Sequence, residues 1–93
     1  MRYELRLLRE ATKTLDRLDR RTEARIRKQL YALRENPFPH PGADIKPLQG
    51  HPGWWRLRVG DWRVLYSISR EERVVHVAAI LPRGQAYRQL PDR

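Results

Sequence analysis

Three arginines, Arg56, Arg58 and Arg63, fall close together and alternate with apolar neighbours. A fourth, Arg83, stands one helical turn before Tyr87. Guanidinium groups stay protonated and fork onto phosphate oxygens, so this set suits a phosphodiester. Arginines can hold the scissile phosphate and neutralise the charge that builds on it in the transition state. In RNA the neighbouring 2′-OH can serve as nucleophile, a group that DNA lacks. Tyr87 is then the candidate base. A free tyrosine titrates near pH 10, and bringing it to neutrality requires roughly 4 kcal/mol of stabilisation from nearby cations. Phosphate binding without cutting, with Tyr87 packed on a sheet, asks less of these residues. At this level both readings stand.

Other chemistries find little support. The acids are scattered, and His40, His51 and His76 show no ligand spacing, so no metal site is expected and each histidine reads as solvated or structural. There is no cysteine, no glycine-rich phosphate loop and no serine in a nucleophile turn. No cofactor is implied. Twenty Lys+Arg against eleven Asp+Glu give a formal charge of +9, and seventeen of the twenty are arginine. So large an excess on 93 residues favours a polyanion, nucleic acid first. No apolar run approaches the roughly 18–20 residues that span a bilayer, and no signal pattern opens the chain. No membrane association is expected, and the cytoplasm is the expected location.

The elements that must carry the arginines follow from periodicity. Trp55, Leu57 and Val59 share one face of a strand, and Arg56 and Arg58 the other. Across a turn at Gly60-Asp61, Trp62, Val64, Tyr66 and Ile68 share a face, with Arg63 pointing oppositely. Before this hairpin, Tyr3, Leu5 and Leu7 alternate as a first strand. From about Arg9 the period becomes helical, with Ala11, Leu15 and Leu18 on one stripe. Asp19 ends that helix or caps the next, whose stripe is Ile26, Leu30 and Leu33 and whose stop is Asn36-Pro37. Residues 37–44 read as a loop, and Ile45 to Leu48 as a short edge strand that Pro47 keeps at an edge. Val74 to Leu81 is a largely buried last strand, and Arg83 to Leu90 a short helix or tail.

A single α+β domain over residues 1–93 follows, in the order β-α-α-β-β-β with three or four strands after the helices. The sheet should be small and mostly antiparallel, with the helix hairpin on one face. The other face, bearing Arg56, Arg58 and Arg63, is left with only the C-terminal tail to cover it. The charges on the helices read as solvated surface.

Lys46-Pro47-Leu48-x-Gly50, then Trp55-Arg56-Leu57-Arg58-Val59-Gly60-Asp61-Trp62-Arg63-Val64-Leu65-Tyr66, then Arg83-x-x-x-Tyr87 resembles the RelE/ParE toxin superfamily over nearly the whole chain. The resemblance implies a type II toxin–antitoxin module and a cognate antitoxin, RelB-like or of another family, in a hetero-oligomer with this chain. RelE-like members are metal-independent endoribonucleases that cut mRNA in the ribosomal A site, by 2′-OH attack that leaves a 2′,3′-cyclic phosphate. ParE-like members poison DNA gyrase and generally lack the RNase residues. Carried over position by position, the resemblance assigns catalysis to Arg58, Arg63, Arg83 and Tyr87, and RNA contacts to Arg56 and Arg58; Lys46 and Arg88 are further candidate RNA contacts. The best-known RelE-like members have lysine at the positions of Arg56 and Arg58. Arginine exchanges a proton less readily, so these two would contribute mainly charge. A RelE-like mRNA interferase is the leading expectation. A gyrase poison, or a non-catalytic antitoxin-binding member, is the alternative.

Overall fold

A computed structural model describes residues 2–85. The chain runs β1 (Glu4–Leu7), α1 (Arg9–Arg17), α2 (Arg20–Glu35), β2 (Ile45–Pro47), β3 (Trp54–Val59), β4 (Trp62–Ser69) and β5 (Val74–Pro82). Four strands follow the helices. They form a meander, and β5 then lands beside β1, giving the sheet order β1-β5-β4-β3-β2. The tight turns make every pairing within the meander antiparallel, whereas β1 and β5 lie parallel. Parallel neighbours need a long connection, and here it is the rest of the molecule.

Both helices cover one face. Ala11, Leu15, Ile26, Leu30 and Leu33 pack with Leu57, Val59, Val64, Tyr66, Ile68, Val75, Val77 and Ile80 in one buried cluster. Each large aliphatic chain buried there is worth about 1.5–3 kcal/mol against exposure, which offsets the ordering of its own segment. Asp19 takes the capping role, its carboxylate accepting from Thr22 N at 3.1 Å. Hydrogen bonding by the Thr22 side chain, and next by its backbone N, lowers the Asp19 pKa from its ordinary value.

Strict alternation along β5 would put Val75 and Ile80 on opposite faces. The register instead slips between Leu65–Ala79 and Tyr66–Val77, leaving Ala78 as an extra residue. This bulge returns Ile80 to the core face, and Val77 to Ile80 are buried without a break.

One buried polar contact fixes the chain as it leaves α2. Tyr66 Oη donates to Pro37 O at 2.7 Å. Burial raises the Tyr66 phenol far above its ordinary value, so it stays a neutral donor. The bond anchors the start of the 37–44 loop, and that loop delivers Asp44 and β2 to the outer side of β3.

Candidate nucleic-acid interface

The hairpin of β3 and β4 sets the site. Val59 pairs with Trp62 across a two-residue turn. Gly60 has φ 59° and Asp61 has no positive φ, the pattern of a type II′ turn. This turn continues the right-handed strand twist and fixes the register. Arg58 then stands directly opposite Arg63, and Arg56 opposite Leu65, while on the other side of β3 Arg56 faces Lys46. All four basic residues lie on the sheet face away from the helices.

Like charges directly opposite on two strands repel, so the Arg58–Arg63 pair costs stability. The carbonyl of Gly60 partly offsets this: Arg58 Nε donates to it at 3.4 Å and Arg63 Nη1 at 3.3 Å, with a further bond from Arg63 Nη1 to Trp62 O at 3.2 Å. Among the described residues neither arginine has a carboxylate partner. Both keep their full charge for an incoming anion.

Arg83 joins them. Its backbone N donates to Asp61 O at 2.6 Å, which ties the end of β5 to the same turn. The structure therefore brings Arg58, Arg63 and the Arg83 backbone to one turn. Arg56 differs. Its Nη2 donates to Asp44 Oδ1 at 3.2 Å, and its side chain is only 19% exposed. Arg56 is thus already neutralised, while Lys46 beside it is exposed and has no ion pair among the described residues. Tyr87 and Arg88 lie outside the described residues.

Beside Arg56 and Arg63 is a cavity of about 400 Å³, lined also by Leu65 and Leu81 and by His51 and Gln85. That volume is within the range of small-ligand sites. Leu65 is 2% exposed and Trp54 6%, and neither belongs to the helix-side core. The arginine face therefore has an apolar component that the charge pattern alone misses. Alternation carried the signal, because Trp54 shares parity with Arg56 and Arg58 and Leu65 shares it with Arg63. Asp44 had no such signal, since its pairing spans a proline-rich loop. Among the described residues no helix is long and apolar enough to cross a membrane.

The model of the ParE toxin family, the ParE toxin of the type II toxin–antitoxin system parDE, matches residues 5–87. The chain belongs to this family. Among relatives, this family member is 27% identical over 88 residues to toxin RelE1 of Methanocaldococcus jannaschii, covering 95% of this chain and 98% of that one. The RelE–RelB complex from Pyrococcus horikoshii contains a chain of the same fold, with TM-score 0.79 and 28% identity over 92% of this chain and 100% of that one. The RelBE2 toxin–antitoxin complex of Mycobacterium tuberculosis gives TM-score 0.76 and 26% identity, covering 89% and 100%. The chain is a RelE/ParE-type toxin of a toxin–antitoxin system.

Proposed function

We propose that this toxin is an endoribonuclease that cuts mRNA on the ribosome and stops translation. The observation that supports it best is the convergence of Arg58, Arg63 and the end of β5 on one turn, with neither side chain paired to a carboxylate among the described residues. Such a cluster is costly to assemble and suits a phosphodiester that passes over it.

In the reaction the substrate's 2′-oxygen forms a bond to the adjacent phosphorus and the bond from phosphorus to the 5′-oxygen breaks. The 2′-OH proton leaves to a base and the 5′-oxygen gains a proton, giving a 2′,3′-cyclic phosphate and a 5′-OH end. Arg63 and Arg83 stabilise the extra charge on the phosphate oxygens, and Arg58 holds the strand. Lys46 guides the backbone along the β2 edge, Arg56 beside it joins by exchanging Asp44 for a phosphate, and Arg88 extends these contacts. Tyr87 acts as the general base or stacks on a base to keep the attack in line. Leu65 and Leu81 offer an apolar floor for a nucleobase beside the phosphate. The ribosome contributes by presenting the strand in an attack-ready conformation. The toxin acts in the cytoplasm, where a cognate antitoxin, RelB-like or of another family, covers its basic and apolar surface in a toxin–antitoxin hetero-oligomer.

Induction in a permissive host should arrest translation, and Arg83→Ala or Tyr87→Phe should relieve the arrest. Arrest with intact mRNA and undiminished potency in both variants would sink this reading. A second reading, poisoning of DNA gyrase, is favoured by the family model that matches, which is that of ParE. It requires DNA breaks and an SOS response with mRNA uncut.

A further inference from the structure

The Gly60 turn is approached from the helical side as well. A side-chain carbon at Gly60 would lie 2.8 Å from Arg25 Nη1 and 3.2 Å from Arg25 Cζ. The glycine thus leaves room for a guanidinium that α2 extends over the hairpin tip. Arg25 is exposed and, among the described residues, has neither a hydrogen bond nor an ion pair. Its neighbours on the helix face explain this: Arg21 and Thr22 precede it by one turn, and Lys28 and Gln29 follow it, with no acid among them. On the next stripe Arg27 Nε holds Glu23 Oε2 at 2.8 Å.

Arg21, Arg25 and Lys28 therefore form an exposed cationic stripe at helical spacing. It meets the sheet-face arginines at Gly60, whose carbonyl is held by Arg58 and Arg63. The acid on the turn, Asp61, is exposed and makes no ion pair among the described residues. Like charges one turn apart destabilise a helix, as opposed like charges destabilise a hairpin. A surface that carries both costs at one junction suits an extended polyanion better than a single phosphate.

We propose that Arg25 is a further RNA-backbone contact that carries the phosphate track from the arginine face around the β3–β4 turn onto α2, with Arg21 and Lys28 beyond it. The proposal rests on the RNA reading of the arginine face. A strand seated at Arg58 and Arg63 continues past the hairpin tip, and Arg25 meets a phosphate outside the cleaved linkage. Arg25 then contributes to binding and leaves the chemical step untouched.

The test is fluorescence anisotropy with a short 2′-O-methyl oligoribonucleotide, which cannot attack its own phosphate, over a series of salt concentrations. A second arm measures co-sedimentation with empty ribosomes, which separates a contact to the messenger strand from one to ribosomal RNA. The variants are Arg25→Gln, Arg25→Lys and, as a control with equal loss of charge, Arg34→Gln, which lies about 14 Å further along α2. Arg25→Gln should bind the oligonucleotide about three- to fivefold more weakly, with the log–log salt slope reduced by about 0.7, the value of one lost phosphate contact on a single strand. Arg25→Lys should keep the slope, Arg34→Gln should leave it unchanged, and all three should keep the parent melting temperature within a few degrees. A loss in the ribosome arm alone assigns the contact to ribosomal RNA backbone. The proposal is overturned by parental oligonucleotide and ribosome binding in Arg25→Gln, or by an equal loss in Arg34→Gln. Absence of salt-dependent RNA binding in the parent toxin would instead remove the RNA reading itself.

Discussion

Replacing Arg58 with glutamine should make the toxin more stable and less active. Arg58 Nε and Arg63 Nη1 lie 3.4 and 3.3 Å from the same Gly60 oxygen, so these nitrogens are at most about 6.7 Å apart. Two unit charges at that separation repel by about 2.5 kcal/mol at an effective dielectric of 20 and about 0.6 kcal/mol at that of water. Arg58 is exposed and Arg63 half-buried, which favours the lower part of that range. The weak bond from Arg58 to Gly60 is lost with the substitution, leaving a gain of about 0.5–1 kcal/mol. For a domain of this length each kcal/mol moves the melting temperature by about 4–8 °C, so a rise of several degrees is expected. Thermal melts of Arg58→Gln and the parent, at low and high salt, measure it. The gain should shrink at high salt, where exposed charges are screened. The same variant should bind RNA more weakly and be less toxic. A loss of stability, or a gain that salt does not touch, would refute the reasoning, because Arg58 would then be held by packing.

Removing the Asp44 carboxylate should release Arg56: Asp44→Asn should bind RNA several-fold more tightly with a steeper salt slope, by about 0.7, at a stability change below about 1 kcal/mol. Anisotropy titrations check this, and weaker binding would show that the ion pair positions Arg56 for the strand. Tyr66→Phe leaves the Pro37 carbonyl without its donor and should cost about 1–3 kcal/mol in urea melts. Because burial raises the Tyr66 pKa above its unfolded value, the stability gained by keeping it neutral is complete below about pH 10 and drains as pH rises further. Alkaline unfolding of the parent should therefore be steeper than that of Tyr66→Phe. Arg73, in the β4–β5 turn, has φ 56°, so Arg73→Gly should stabilise the toxin by about 0.5–1 kcal/mol, seen as a higher melting temperature.

The hairpin was legible because period two is a strong signal on both sides of Gly60-Asp61, and parity alone settled which side Arg56, Arg58 and Arg63 share. The helices were legible for the same reason at period 3.6, and Asp19 announced the second of them. Two features had no local signature. The parallel pairing of β1 with β5 depends on where the meander ends, and no residue in either strand encodes it. The ion pair of Arg56 with Asp44 depends on a loop whose path is set by the distant Tyr66–Pro37 contact. Leu65 and Trp54 lay within reach of the parity count, yet attention to charge hid the apolar part of the face. The charges on α2 read as solvated surface in sequence, and only the approach of Arg25 to Gly60 distinguishes that stripe.

The most direct measurement is primer extension on an mRNA incubated with purified toxin, with and without ribosomes, for the parent and Arg63→Ala. The expected result is a new end within the ribosomal A site, dependent on ribosomes, with a 2′,3′-cyclic phosphate on the upstream fragment and a loss of the cut in Arg63→Ala. Intact mRNA in every lane, together with toxin-dependent DNA breaks in gyrase assays, would contradict the assignment of the arginine face to RNA.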